Sequence, residues 1–167
     1  MTRERRHPNV INKDDLEPQE MKKGSHHIIS RRLGPATGNI QLGATLTELP
    51  PGALSYPHHY HCAKEEAVYV ISGTGTARIG DARVPIRPGD WLAYPVGPAH
   101  AHQLINDGKE PLVYLCISTG QTCEVVGYPD SGKVGFAAGE SMQKTWMRQL
   151  VRAGESLDYW DGEPGAQ

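Results

Sequence analysis

Between residues 39 and 118 the chain repeatedly alternates apolar and polar positions. In NIQLGATLTEL, Ile40, Leu42, Ala44 and Leu46 fall on every second residue, which predicts a strand with one buried face. Pro50-Pro51-Gly52 breaks that run. AVYVIS, at 67–72, is rich in β-branched and aromatic residues, and Gly73-Thr74-Gly75 turns the chain into TARIG. Gly80-Asp81 leads to ARVPI, Pro88-Gly89-Asp90 to WLAYP, and the PVGP cluster to HAHQLIN. Asn106-Asp107-Gly108 then precedes PLVYLCIS. About seven short strands with closely spaced turns predict an all-β sandwich or barrel. No helical period interrupts residues 28–118, which argues against a βαβ architecture.

The two flanks differ from this middle. Residues 1–25 are polar with little periodicity, so an N-terminal arm is expected over 1–27 and the barrel over 28–128. A C-terminal extension, 129–167, is expected to pack on the barrel. Within it, KTWMRQLVR (144–152) fits a short amphipathic helix better than a strand, and Tyr159 and Trp160 are expected to pack back on the barrel.

Composition narrows the function classes. The length of 167 residues suits one domain, able to bury roughly 70% of the surface its unfolded chain exposes. A net charge of −2 offers no basic field for a nucleic-acid backbone. Arg3, Arg5 and Arg6 sit in a short charged tail read as solvated. No apolar run reaches the ~18 residues of a membrane span, and no apolar stretch follows the charged start as in a secretory signal. A cytoplasmic protein, with Cys62, Cys116 and Cys123 as reduced thiols, is therefore expected. Cys116 reads as core, and Cys62 as packed rather than ligating.

The chemistry is concentrated in histidines. Alternate side chains of an extended chain share a face, so His59 and His61 point one way while His58 and Tyr60 point the other. Glu66 shares a face with Val68 and Val70, and an unpaired carboxylate on a core face is costly. A metal ion would offset that cost. His100-Ala101-His102 repeats the same spacing farther on. Three imidazoles and a carboxylate suit one divalent transition metal such as Zn, Fe, Mn or Ni, and disfavour Mg and Ca. One isolated histidine on a strand is usually just a satisfied polar residue; two H-x-H pairs and a core-facing glutamate reverse that inference.

These residues resemble the cupin superfamily, whose fold is a double-stranded β-helix or jelly-roll barrel. The first cupin motif, G(X)5HXH(X)3,4E(X)6G, is matched from Gly52 through His59, His61 and Glu66 to Gly73, except that the opening gap is six residues. The second, G(X)5PXG(X)2H(X)3N, starts at Gly89 and runs through Pro95 and Gly97. It then forks, because His100 has the correct spacing from Gly97 and His102 has the correct spacing to Asn106. The strand register to Asn106 favours His102 and leaves His100 as the alternative. The RRLG and TG segments near 31–38, AHQLIN and YPDSGK (128–133) are also similar to a bacterial group of single-domain cupins. Some members of that group are labelled sugar-phosphate isomerases.

The resemblance implies a metal held by His59, His61, Glu66 and His102, with Tyr60, Tyr94 and His100 facing the substrate or supporting the ligands. The expected function is an enzyme acting on a small oxygen-rich metabolite, a sugar derivative or organic acid, by Lewis-acid or dioxygen chemistry. A non-catalytic cupin that anchors a small ligand on its metal is the alternative, and a purely structural metal a third. The resemblance further implies a homodimer, while the slightly negative charge and the lack of a long apolar run lead to neither a nucleic-acid nor a membrane partner being expected.

Overall fold

The computed structural model describes residues 6–141, 144–154 and 156–166. Thirteen strands occur in it: β1 Gln19–Lys23, β2 His26–Arg32, β3 Leu42–Leu49, β4 Tyr60–His61, β5 Glu66–Ser72, β6 Gly75–Ile79, β7 Ala82–Ile86, β8 Trp91–Tyr94, β9 His102–Ile105, β10 Leu112–Thr119, β11 Cys123–Tyr128, β12 Lys133–Ser141 and β13 Lys144–Arg152. The one α-helical turn among the described residues, Leu33–Ala36, links β2 to β3. Every strand pair is antiparallel.

One wall of the barrel is a six-stranded sheet in the order β1-β2-β3-β10-β5-β8. The facing wall is built from β7-β6-β9 and β13-β12-β11-β4. The segment 54–61 joins those two smaller sheets. It bridges to β9 through Leu54–Ile105 and His59–His102, while β4 pairs with β11. The result is a double-stranded β-helix, a barrel as the alternation predicts and the fold that the cupin resemblance implies.

The core lies between the walls. Leu49, Val70 and Leu112 are fully buried, with Val68, Leu92, Leu104 and Tyr114 packed around them. Registers across β3, β10, β5 and β8 arrange the inward side chains in rows. Thr45, Cys116, Val68 and Leu92 form one row; Gly43, Ser118, Glu66 and Tyr94 form the next, toward the barrel mouth. Polarity thus rises from the closed end to the open end within a few residues of each strand. At the closed end Asn106 is wholly buried, donates to the carbonyls of Leu49 and Glu110, and accepts from the Gly108 N–H. The last residue of the second motif is therefore a turn clamp.

The flanks depart from expectation in three places. Within the polar N-terminal stretch, β1 adds an exposed edge strand beside β2. Residues 144–152 form strand β13, paired with β12, instead of the expected helix. The helical spacing of Trp146 and Leu150 has no apolar partner to bury it, since all nine residues are exposed, whereas β12 supplies a ready ladder of backbone partners. Tyr159 and Trp160 do not pack on the barrel either. They are 83% and 63% exposed and contact each other edge to face. No helix among the described residues is long and apolar enough to cross a membrane.

Candidate metal centre

The strand pairings bring the two histidine groups together. The antiparallel bridge between His59 and His102 sets their rings 4.6 Å apart, centroid to centroid, and His61 lies 5.0 Å from His59. Glu66 reaches the same point from the opposite wall. Donor atoms of His59, His61 and Glu66 all fall within 4.8 Å of one another. The Nε2 of His102 lies 3.3 Å from Glu66 Oε2, and that of His61 lies 3.5 Å from the same oxygen. This spacing suits a cation with bonds of ~2.0–2.2 Å to each donor.

Ring tautomers sharpen the point. Nδ1 of His59 lies 2.8 Å from the Pro57 carbonyl, and Nδ1 of His102 lies 3.0 Å from the His100 carbonyl. Carbonyl oxygens only accept, so each Nδ1 carries a proton and each Nε2 is left with its lone pair, which in His102 faces the carboxylate. A lone pair opposite a carboxylate is repulsive unless a cation, a proton or a metal, sits between them. Burial and the neighbouring imidazoles of His102 and His61 push His59 down to about 4, which keeps it neutral at pH 7. Burial would raise Glu66, but where a proton sits on the facing nitrogens of His102 and His61 their hydrogen bonds, with the charge of Lys64, hold it well below the usual carboxylate range. Both nitrogens of His61 are buried without a hydrogen-bond partner. The donor set therefore fits a divalent transition metal.

Other residues shape the surroundings. Tyr94 is buried and stacks flat on His102, with centroids 3.7 Å apart. Burial drives its hydroxyl well above the ordinary tyrosine value, so it stays protonated. Cys116 is pushed up to about 12 by burial and by the charge of Glu66, so it stays a protonated thiol beside the carboxylate. Cys62 is exposed rather than packed. His100 sits in the turn Pro98–His100, and it is its backbone carbonyl that reaches the site. Tyr60 points away, against Gly127, where even a β-carbon would come within 2.2 Å of its ring.

The site opens into a cavity of about 450 Å³ lined by His59, His61, Glu66, Tyr94 and His102. Arg32, Lys64 and Arg148 line it as well, so the wall is cationic around the carboxylate. Lys64 lies 3.1 Å from Glu66. Sequence reasoning passed over these cations and also Glu124, which is buried and lines the same cavity. A signal existed for Glu124, because it alternates with Val126 and Tyr128 as Glu66 does with Val68 and Val70.

A jelly-roll barrel with histidines and a glutamate converging at its mouth defines a class, small barrels with a metal-competent pocket. The Cupin domain family model matches residues 45–118. An uncharacterised protein of Methanocaldococcus jannaschii is 32% identical over 109 residues, 63% of this chain and 81% of that protein. A proposed sugar phosphate isomerase from Acidithiobacillus ferrooxidans superposes with a TM-score of 0.76 at 30% identity, over 86% of this chain and 92% of its own. A cupin-superfamily sugar phosphate isomerase from Silicibacter pomeroyi does so at 0.76 and 27% identity, over 90% and 97% respectively. The chain belongs to the cupin superfamily.

Proposed function

We propose that this cupin is a metal-dependent enzyme acting on a small phosphorylated sugar, with His59, His61, Glu66 and His102 holding the ion. The observation that carries this reading is the convergence of donor atoms of His59, His61 and the partly buried Glu66, with His102 Nε2 3.3 Å from the same carboxylate, in a cavity with a cationic wall. The names carried by the two similar structures support the same substrate class for this chain.

When bound, a divalent ion supplies Lewis acidity toward a carbonyl or hydroxyl oxygen. The chain's own residues do the rest. Arg32 and Arg148 bind a dianionic phosphate and orient the sugar with its carbonyl end toward the histidines. Tyr94 stacks on His102 and holds its ring plane. Lys64 partly offsets the charge of Glu66. The apolar rows below, from Val68 to Leu92, close the floor against water.

The test is metal analysis of purified protein beside His61→Ala and Glu66→Ala variants, followed by NMR of sugar phosphates mixed with the loaded parent. About one equivalent of metal, lost in both variants, together with aldose–ketose interconversion blocked by the same substitutions, is expected. Sugar phosphate binding without turnover would replace the enzyme with a metal-anchored binding module. A metal-free parent that resists reconstitution would remove the metal reading.

The same proposal includes a homodimer, supported by the exposed Trp146, Met147 and Leu150 on edge strand β13. Light scattering at the 18.3 kDa mass of one chain would remove it.

A further inference from the structure

A histidine presents Nε2 to an ion only when its Nδ1 carries the proton, and the group facing Nδ1 decides that. For His59 and His102 the group is a backbone carbonyl. His61 has no such carbonyl. Its Nδ1 faces Oε2 of Glu124 at 3.7 Å, slightly longer than a hydrogen bond, while its Nε2 faces Glu66.

Glu124 lies on β11, outside both cupin motifs, and only 2% of it is exposed. Its Oε1 accepts the N–H groups of Cys62 at 3.1 Å and Ala63 at 3.2 Å. Those two bonds hold the carboxylate and leave Oε2 as the oxygen turned to His61. Oε2 and the Nδ1 of His61 are both buried, and neither has any other hydrogen-bond partner. The pairing of β11 with β4, Val126 opposite His61, keeps the two side chains together. Buried polar groups left unpaired are costly, and here two complementary ones face each other.

We propose that Glu124 is a positioning residue that fixes His61 with its proton on Nδ1 and its Nε2 lone pair toward Glu66. Glu124 completes the set, so that each histidine of the site has one acceptor behind it. The inference rests on the metal reading above, but its central claim, a proton on the Nδ1 of His61 facing Glu124, stands in the metal-free protein.

Glu124→Gln separates this role from a merely structural one. A glutamine oxygen still accepts from Cys62 and Ala63, which keeps the turn, and its NH2 then donates to His61 Nδ1. That donor forces the proton onto Nε2 and removes the lone pair. Expected results are a melting temperature of the metal-free variant close to the parent's and a His61 15N signature switched from Nδ1–H to Nε2–H. Zinc affinity, measured against a chromophoric chelator, should fall about 10–100-fold. A metal-free parent whose His61 Nδ1 carries no proton would overturn the proposal whether or not the variant folds. So would a variant that binds zinc within twofold of the parent. A parent that binds no zinc while showing Nδ1–H would overturn the metal reading and leave the role of Glu124 in place.

Discussion

Residues 58–61 form a single strip of chain whose two sides do different work. On the inner side, His59 and His61 meet Glu66 and His102 inside the cavity, and Arg148 lines that cavity without entering any of the described ion pairs. On the outer side, His58 lies 3.6 Å from Asp130, and Asp130 is gripped by both terminal nitrogens of Arg78 at 2.6 and 2.8 Å. Each side holds histidine, carboxylate and arginine. The difference is pairing. The outer arginine is spent on a half-exposed carboxylate and pins the turn Pro129–Ser131 to β6, whereas the inner groups keep lone pairs and charge directed into an open space. Residue type alone does not distinguish a ligand site from a brace; the partners left free do.

The largest effect expected from breaking this contrast is on the inner side. Zinc or manganese added at ~100 times Kd should stabilise the parent by about 2.7 kcal/mol, and Glu66→Ala or His61→Ala should abolish the thermal shift. His58→Phe should keep that shift in full; losing it would merge the two sides into one site. Next comes Arg148→Ala, which should weaken sugar phosphate binding by about 1.5–3 kcal/mol in calorimetry while leaving metal content unchanged. The arginine on the outer side, replaced as Arg78→Ala, should leave that affinity alone.

Smaller effects belong to the brace. Both ring nitrogens of His58 are buried without a hydrogen bond, so an apolar ring of similar shape costs little. His58→Phe should change unfolding free energy by about 1 kcal/mol or less in urea titrations. The smallest effect is a pH dependence. Hydrogen bonding to Arg78 holds Asp130 below its ordinary carboxylate value. A depressed folded-state value contributes stability above the unfolded pKa of ~4, and that stability is lost as the pH falls through the folded one. Asp130→Asn should therefore flatten the acid limb of the stability curve. Solvent exposure of the pair limits the change to about 0.2–1 kcal/mol.

Much of this molecule was legible from local pattern. Period-two alternation reveals strands because a pleated chain must put successive side chains on opposite faces, and it places His59, His61 and Glu66 on inward faces before any fold is known. The close spacing of the turns likewise indicates a sandwich or barrel, and the resemblance of the histidine motifs to the cupins narrows that to a jelly roll. Other features depend on which strands become neighbours. His102 rather than His100 meets Glu66 because the bridge to His59 turns it inward, while His100 falls in a turn and contributes a carbonyl. Strand β13 exists because β12 is there to pair with it, against a local spacing that suits a helix better. Glu124 is 63 residues from His61 along the chain, and only the pairing of β11 with β4 brings them together. Local pattern determines the face a side chain takes, because backbone geometry is local. Which group stands opposite it, and so whether a histidine is free to ligate, is decided by long-range strand pairing.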